Sequence, residues 1–452
     1  MRGTVNAYQR LDAPPAMGMR THAWPAARLL QRALASKGRA AFVRRLGLIG
    51  QRFRWTPEPM ARALALYAAA LYAHDAPATW TVAVASARRY PALLRPYAAS
   101  RIELALHGWC HTDHQRCDAD TQGREVQRAV DEFARLGFQA VGWRSPYLRA
   151  GPATLAALTH AGLQWDASET VEFPCQALPD LHAAGRDTWL RAVAFYGTVP
   201  YEARLALPTL HGPLVRFPTA LPDDEMLIDR LGVGAETLTR VWLEMLARTY
   251  ADGELLVLLL HPERTRQFLE PLHAVLAWAR AARPGVWIAT LGELTAWWRR
   301  RSAARLAIQS TAEGWKVTVD GPPGVLAERL ERSPTPLPAA TARARQLVIA
   351  SAPWPGVGVS GRNAAATAAR LQALGLAAEP QQGARRYAAE LHDPTEPELV
   401  ARVRQLGRGE GLAAPLVRLA YWPDGARSAL AITGDICALT WRDFLARLAG
   451  RG

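Results

Sequence analysis

The chain has 452 residues, half of them hydrophobic, so it is too long for one ordinary domain and can bury sizeable cores. Its formal net charge of +14 is carried almost entirely by arginine, since Lys37 and Lys316 are the only lysines. No basic run is interleaved with aromatic residues, so we expect no nucleic-acid partner despite this charge.

The four cysteines, Cys110, Cys117, Cys175 and Cys437, form no CxxC pair. This spacing argues against a zinc ribbon or a disulfide scaffold and favours free thiols in a reducing compartment. No segment approaches the ~18 apolar residues that a membrane-spanning helix needs, and no secretory signal is visible at the N-terminus. We therefore expect a cytoplasmic protein without a membrane span. The oligomeric state is left open.

Alanine, leucine and arginine recur at helical spacing over residues 25–75. This pattern predicts a helical N-terminal segment within residues 1–76. The segment carries no pattern of chemically active side chains, so we expect it to cap or pack against the domain that follows.

Predicted strands and helices alternate over residues 77–301. This alternation is typical of a parallel α/β fold, either a barrel or a doubly wound sheet. In such folds the chemistry lies at the carboxyl ends of the strands. His107, Arg144 and Asp166 follow predicted strands, and His261 ends the apolar run LLVLLL. The residues between, roughly 169–250, are interpreted as an insertion.

His107 and His111 lie four residues apart in the sequence HGWCH, directly after an apolar strand. Two converging imidazoles can bind a divalent metal such as zinc while leaving a position open for water. The HxxxH pattern alone is weak, because a chance pair on a solvated turn would look the same.

Four motifs in this region, taken together, are more specific. They are HGWCH at 107–111, RSPY at 144–147, WDAS at 165–168 and LLLHPE at 258–263. In this order and at this spacing they resemble the motifs of the polysaccharide deacetylase (NodB-homology) family. The resemblance implies a (β/α) barrel over residues 77–301.

The family's first motif, an acidic pair after the first strand, has no counterpart before residue 77, where only Asp75 is available. A similar sequence occurs near the C-terminus, where the apolar run SALAIT leads into Gly434, Asp435, Ile436 and Cys437. We interpret residues 426–452 as a strand and helix that complete a circularly permuted barrel. The alternative is a separate C-terminal domain in which Asp435 only caps a helix.

Residues 302–425 form the connection that such a permutation needs. Their pattern predicts a β-hairpin over 305–324, a linker over 332–342, and a strand, loop and helix over 346–376. The loop of the last unit would hold Gly356, Gly358 and Gly361, but their spacing fits no phosphate-binding motif. Helical packing is expected up to about residue 410.

The resemblance implies a metal-dependent hydrolase that removes the acetyl group from an N-acetylated sugar or glycan. His107, His111 and Cys437 would bind the metal, most simply Zn²⁺, with cysteine standing where the family has a carboxylate. Asp435 would act as general base and His261 as general acid. Arg144 would orient Asp435, and Asp166 would hold a charged partner such as His261.

Two other functions stay open because of the cysteine. One is a catalytically inactive homologue that binds or scaffolds carbohydrate, and the other is an amidohydrolase acting on a small nitrogenous substrate. Asp113 or His114 could supply a replacement metal ligand. Tryptophans near the motifs could stack on sugar rings or pack in the wall: Trp80, Trp109, Trp143 and Trp165. The acidic triplet Asp223, Asp224 and Glu225 is interpreted as a helix N-cap.

Overall fold

A computed structural model of the chain describes residues 52–178, 181, 183–332 and 340–448. The prediction for residues 1–51 therefore lies outside the described part, as does most of the expected linker. Within the described ranges, none of the helices is long and apolar enough to cross a membrane.

The helices are numbered in chain order. They are α1 (Glu58–Ala73), α2 (Val84–Arg89), α3 (Pro91–Ala98), α4 (Ala119–Arg135), α5 (Pro152–His160), α6 (Ala183–Tyr196), α7 (Ala235–Asp252), α8 (Thr265–Ala281), α9 (Leu291–Ser302), α10 (Ala364–Ala373), α11 (Glu396–Gly407) and α12 (Trp441–Leu448). A short π-helical segment covers Glu225–Leu231.

The strands are numbered in the same way. They are β1 (Ala78–Val82), β2 (Ile102–Leu106), β3 (Gly142–Trp143), β4 (Trp165–Glu172), β5 (Val199–Pro200), β6 (Thr209–His211), β7 (Leu214–Leu221), β8 (Leu255–Leu260), β9 (Val286–Ile288), β10 (Arg305–Thr311), β11 (Gly314–Asp320), β12 (Ala327–Leu330), β13 (Ala340–Ala344), β14 (Gln346–Ile349), β15 (Trp354–Ser360), β16 (Ala378–Pro380), β17 (Tyr387–His392), β18 (Leu416–Leu419) and β19 (Ser428–Ile436).

Seven parallel strands of the described chain close into a barrel with helices around it. Going round it, the order is β1, β2, β3, β4, β7, β8 and β19. The predicted barrel is confirmed. Strand β19 pairs with β1 on one side and with β8 on the other, so it lies within the barrel. That this order is a permutation of the family's own order stays an interpretation.

Helix α1 belongs to the outer layer of the barrel. Tyr67 is buried, stacks on Trp80 of β1 with ring centroids 5.2 Å apart, and donates a hydrogen bond to the carbonyl of Thr433 in β19. The two ends of the described chain also meet. Phe53 stacks on Phe444 of α12 with ring centroids 5.5 Å apart. Neighbouring ends of this kind are what a circular permutation requires.

One expectation about the barrel is wrong. The segment interpreted as an insertion contains β7, which pairs in parallel with both β4 and β8. Its sequence LVRFPTAL includes Pro218, and a proline argues against a central strand because it has no N–H to donate. The barrel accommodates this proline beside an irregularity in the pairing with β4 between Asp166 and Glu169.

The connecting region is a set of small sheets packed against the barrel. Strands β10 and β11 form the predicted hairpin, with Thr311 opposite Gly314 at the turn. The expected linker is wrong where the structure describes it, because β13 occupies Ala340–Ala344. The expected helical packing is also incomplete, since β16 and β17 flank β15 in a parallel sheet.

Gly356 and Gly358 lie within β15 and not in a loop. A Cβ atom on Gly356 would lie 2.0 Å from the Trp354 ring, and one on Gly358 would lie 2.4 Å from the Tyr387 ring. Close packing of aromatic rings on the strand therefore explains both glycines.

A buried ion pair joins the connecting region to the barrel. The Arg404 guanidinium in α11 donates to both carboxylate oxygens of Glu254, at 2.8 and 3.0 Å, and Glu254 directly precedes β8. Both side chains are buried. Burial raises the pKa of Glu254 and the charge of Arg404 opposes this rise.

We expect Arg404→Met to lower the free energy of unfolding by about 3–5 kcal/mol, because it leaves a buried carboxylate without its partner. Denaturant unfolding followed by tryptophan fluorescence measures this loss. The loss should be smaller at pH 5 than at pH 8, since Glu254 can then take up a proton. The control is Arg370→Met, which removes an ion pair with Glu396 whose side chains are each 50% exposed and should cost about 0–1 kcal/mol. Equal losses in both variants would contradict the prediction.

Candidate active site

The candidate catalytic side chains converge at the carboxyl-terminal end of the barrel. His107 follows β2, Arg144 follows β3, His261 follows β8, and Asp435 lies near the end of β19. Because these strands are parallel, their carboxyl ends meet at one edge. Four of the predicted catalytic and metal-binding residues thus share one face of the barrel.

His107, His111 and Cys437 form a buried cluster that could bind a metal ion. Their nearest ligand atoms all lie within 4.8 Å of one another. The Nδ1 of His107 donates to the carbonyl of Arg144 at 2.9 Å, which leaves its Nε2 unprotonated. This Nε2 and the Nδ1 of His111 are buried and have no hydrogen-bond partner. Two buried imidazole nitrogens without partners beside a thiol fit a zinc ion well.

Burial lowers the pKa of both histidines, that of His107 to about 4 and that of His111 well below its usual value. Both rings are therefore neutral at pH 7, which is the form that binds metal. Burial raises the pKa of the Cys437 thiol to about 12, against the opposing charge of Arg447. A thiol bound to a metal ion loses its proton, so metal binding here would release one.

The loops that carry the site are held in left-handed backbone conformations. His111 has a φ of 64° and Tyr147 of the RSPY motif a φ of 61°. Such values cost of order 1–3 kcal/mol for residues other than glycine and gather at functional sites. The turn that carries His111 is thus not helical. Gly108 also has a positive φ, and a Cβ there would lie 3.0 Å from Pro146.

Arg144 forms a buried ion pair with Asp435. Its guanidinium donates to the Oδ1 of Asp435 at 2.9 Å, and Thr81 donates to the same oxygen at 2.7 Å. The Oδ2 of Asp435 lies 3.7 Å from the Nε2 of His107. Burial raises the pKa of Asp435, but the charges of His107 and Arg144 outweigh it and bring the pKa to about 2. The carboxylate is therefore ionised at neutral pH.

The partner of His261 is Asp224, which the sequence did not indicate. The Nδ1 of His261 donates to Oδ1 of Asp224 at 2.6 Å, and its backbone N–H donates to Oδ2 at 2.7 Å. Burial lowers the pKa of His261, but the charge and hydrogen bond of Asp224 and the charge of Glu263 together outweigh it and raise the pKa to about 9. The imidazole is thus protonated at neutral pH. Asp223 caps the following helical turn as expected, because its side chain accepts from the N–H of Met226. The same expectation is wrong for Asp224, whose side chain accepts from His261.

The expected pairing of Asp166 with His261 is wrong. Asp166 accepts from Arg216 at 3.2 Å and from the hydroxyl of Ser168. Ser168 in turn accepts from the backbone N–H of Ser145 at 2.8 Å. Since Trp165 and Ala167 on either side belong to a buried cluster with Val215, Asp166 points to the opposite face of β4. Through Ser168, Asp166 therefore supports the backbone of the RSPY loop.

The suggested replacement ligands are turned away from the cluster. His114 is buried, with its Nε2 3.1 Å from Glu125, and Asp113 pairs with Arg149 at 3.2 Å. The four tryptophans near the motifs are also buried, so they pack in the wall and cannot stack on a sugar: Trp80, Trp109, Trp143 and Trp165.

Comparison with known proteins agrees with this geometry. The family model described as polysaccharide deacetylase matches residues 62–165, a range that includes both metal-cluster histidines and the RSPY motif. Residues 62–165 are therefore similar to the polysaccharide deacetylase family. His261, Asp224, Cys437 and Asp435 lie beyond the matched range, and the barrel topology brings them to the same edge.

A curated relative of this chain is the peptidoglycan deacetylase-like protein FGM2 of Gibberella zeae. It is 30% identical over 91 residues, which are 20% of this chain and 27% of that protein. The chain thus spans about a quarter of the length of this relative.

Solved structures similar to the chain include a protein from Mycobacterium smegmatis assigned as a polysaccharide deacetylase. It has 20% identity and a TM-score of 0.42, covering 59% of this chain and 86% of that one. Another is the PuuE allantoinase, with 18% identity and a TM-score of 0.42, covering 52% of this chain and 72% of that one.

Proposed function

We propose that this protein is a metal-dependent hydrolase that removes the acetyl group from an N-acetylated amino sugar in a glycan. The observation that carries the proposal is the convergence of three features at one barrel edge: the buried His107–His111–Cys437 cluster, an ionised Asp435 and a protonated His261. The charge of His261 lowers the pKa of both Asp435 and His111, so the groups act on one another within a single site.

The metal would be held by Nε2 of His107, Nδ1 of His111 and Sγ of Cys437. A nitrogen and sulfur donor set favours zinc among the common divalent metals. When bound, such an ion polarises an amide carbonyl and lowers the pKa of its water.

The acid and base assignments follow from the opposite pKa shifts in the site. Asp435 has a pKa of about 2 and is ionised at neutral pH, so it can accept a proton. His261 has a pKa of about 9 and is protonated at neutral pH, so it can donate one. Asp435 would accept the proton of the attacking water. His261 would donate its proton to the nitrogen of the leaving amine, with Asp224 holding the ring in place.

Two alternative functions make different predictions. An inactive carbohydrate-binding homologue would bind a glycan and leave its acetyl groups in place, and Cys437 in the metal cluster is the observation that favours it. An amidohydrolase on a small nitrogenous substrate would release no acetate from N-acetylhexosamine oligomers.

The test is metal content and acetate release of the purified protein. We expect about one zinc per chain by elemental analysis, and we expect zinc to be lost in His107→Ala and His111→Ala because each removes a ligand. Acetate release from N-acetylglucosamine oligomers should fall with the zinc content.

His160→Ala is the matched control, because His160 is an exposed histidine of α5 away from the cluster. It should keep both zinc and activity. A wild-type protein that stays metal-free after incubation with zinc would overturn the proposal. A zinc-loaded protein that binds the oligomer without releasing acetate would favour the inactive homologue.

A further inference from the structure

A second ion pair lies beside the Asp224–His261 pair and joins the same two segments of the chain. Asp224 directly precedes the π-helical segment, and Asp229 lies within that segment. His261 directly precedes a short 3₁₀ turn, and Arg264 ends that turn. The guanidinium of Arg264 donates to Oδ2 of Asp229 at 2.6 Å, and its backbone N–H donates to the carbonyl of His261 at 2.8 Å. The two segments are therefore held together at two points.

Arg52, which precedes helix α1 and lies outside the barrel strands, binds the same aspartate. Its guanidinium donates to both carboxylate oxygens of Asp229, at 2.9 and 2.8 Å, and its side chain is only 7% exposed. Phe53, the next residue, stacks on Phe444 of α12 with ring centroids 5.5 Å apart. The chain before α1 thus connects the π-helical segment to the helix that follows β19.

The side chains of this network are largely buried: Arg52, Asp229, Glu263 and Arg264. Buried charges lose their hydration, so such a network contributes less to stability than its short distances suggest. Arg264 also donates to Oε1 of Glu263 at 2.8 Å, so two guanidiniums bind two carboxylates. Forked donors of this kind fix the relative orientation of the groups that they join. The neighbouring pair requires a fixed orientation, because both carboxylate oxygens of Asp224 accept from His261.

We propose that Arg264, Asp229 and Arg52 are positioning residues that hold the His261 imidazole against Asp224. The inference rests on the proposed function, in which His261 protonates the leaving amine. While the Arg264–Asp229 pair is intact, the π-helical segment and the 3₁₀ turn are kept from moving apart, and the imidazole keeps its orientation and its partner. When the pair is lost, the two segments can separate and water can reach the imidazole.

Removal of Arg264 separates this inference from a simple effect of charge. Burial and then the charge of Arg264 lower the pKa of His261, while the charges of Asp224 and Glu263 raise it. If Arg264 acted only as a nearby positive charge, Arg264→Met would therefore raise the pKa of His261. If Arg264 holds His261 against Asp224, the variant loosens that contact, and the pKa falls from about 9 toward the ordinary histidine value of about 6.5.

NMR titration of protein labelled at histidine measures this pKa without any substrate, and the His261 signal is assigned from its absence in His261→Gln. We expect the pKa to fall in Arg264→Met. A smaller fall is expected in Arg52→Met, which leaves Asp229 paired with Arg264 and decides the outcome if Arg264→Met does not fold. In an acetate assay at pH 8, kcat should fall by about 10–10²-fold in Arg264→Met with little change in KM, because the acid is misplaced.

Arg266→Met is the matched control, since Arg266 is an exposed arginine that follows Arg264 closely in the chain. It should leave both the pKa of His261 and kcat unchanged. A pKa that rises or stays unchanged in both Arg264→Met and Arg52→Met would overturn the inference and leave the proposed function standing. A wild-type protein that releases no acetate would overturn the proposed function, while a fall of the pKa in the variants would still confirm the positioning of His261.

Discussion

In the Asp224→Asn variant we expect the high-pH limit of activity to fall from about pH 9 to below about pH 6.5. Burial lowers the pKa of His261, and the Asp224 charge, the largest of the effects that oppose burial, is lost in the variant. The imidazole would then be neutral at pH 8 and could not protonate the leaving amine. At that pH kcat should fall by about 10²–10⁴-fold.

The pH profile of acetate release measures this shift, and zinc content should stay as in the wild type. Asp131→Asn is the control, because Asp131 is an exposed aspartate of α4. An unchanged high-pH limit in Asp224→Asn would exclude His261 as the general acid.

The same pair predicts a pH dependence of stability that needs no substrate. The folded pKa of His261, about 9, lies above its unfolded value near 6.5. The contribution of the pair to the free energy of unfolding is therefore complete below about pH 6.5 and is lost as the pH rises through about 9. Denaturant unfolding at pH 6, 8 and 10 should show this loss in the wild type and a much smaller one in Asp224→Asn.

The sequence predicts most of the barrel because apolar strands alternate with amphipathic helices and lead into polar motifs. Strand β19 could be placed because its apolar run ends in Asp435, as β2 ends at His107. Strand β7 could not be placed in the same way, because Pro218 argues against a strand. The stretch before β7 also shows no alternation of predicted strands and helices. The pairing partners of β7 lie far away in the chain.

The role of Asp224 could not be predicted from the sequence either, because it depends on the position of β7. An acidic triplet after a proline has the composition of a helix N-cap, and Asp223 does accept from the N–H of Met226. Only when β7 is known to be a barrel strand does its carboxyl end lie at the active-site edge. The signal was the position of the triplet, which Pro222 alone separates from the segment LVRFPTAL. Asp166 was assigned to His261 instead, because sequence alone does not show which face of β4 it occupies.

Replacing Cys437 by aspartate should raise the zinc affinity at pH 7 by about tenfold or more, because a carboxylate ligand is already ionised while a thiol must first lose its proton. Burial raises the pKa of the Cys437 thiol to about 12, which makes that loss costly. Residues 435 and 437 are two apart at the end of β19, so both side chains point to the same face. The new carboxylate would therefore face His107 and His111.

We expect acetate release to rise together with zinc affinity in Cys437→Asp, because more of the protein carries metal and a carboxylate leaves the metal a stronger Lewis acid than a thiolate does. Cys437→Ser is the matched control, as it keeps the size of the side chain and should bind zinc more weakly than the wild type. Zinc titration and an acetate assay on the three proteins decide the outcome. If aspartate improves neither zinc binding nor activity, Cys437 does not occupy a metal-ligand position.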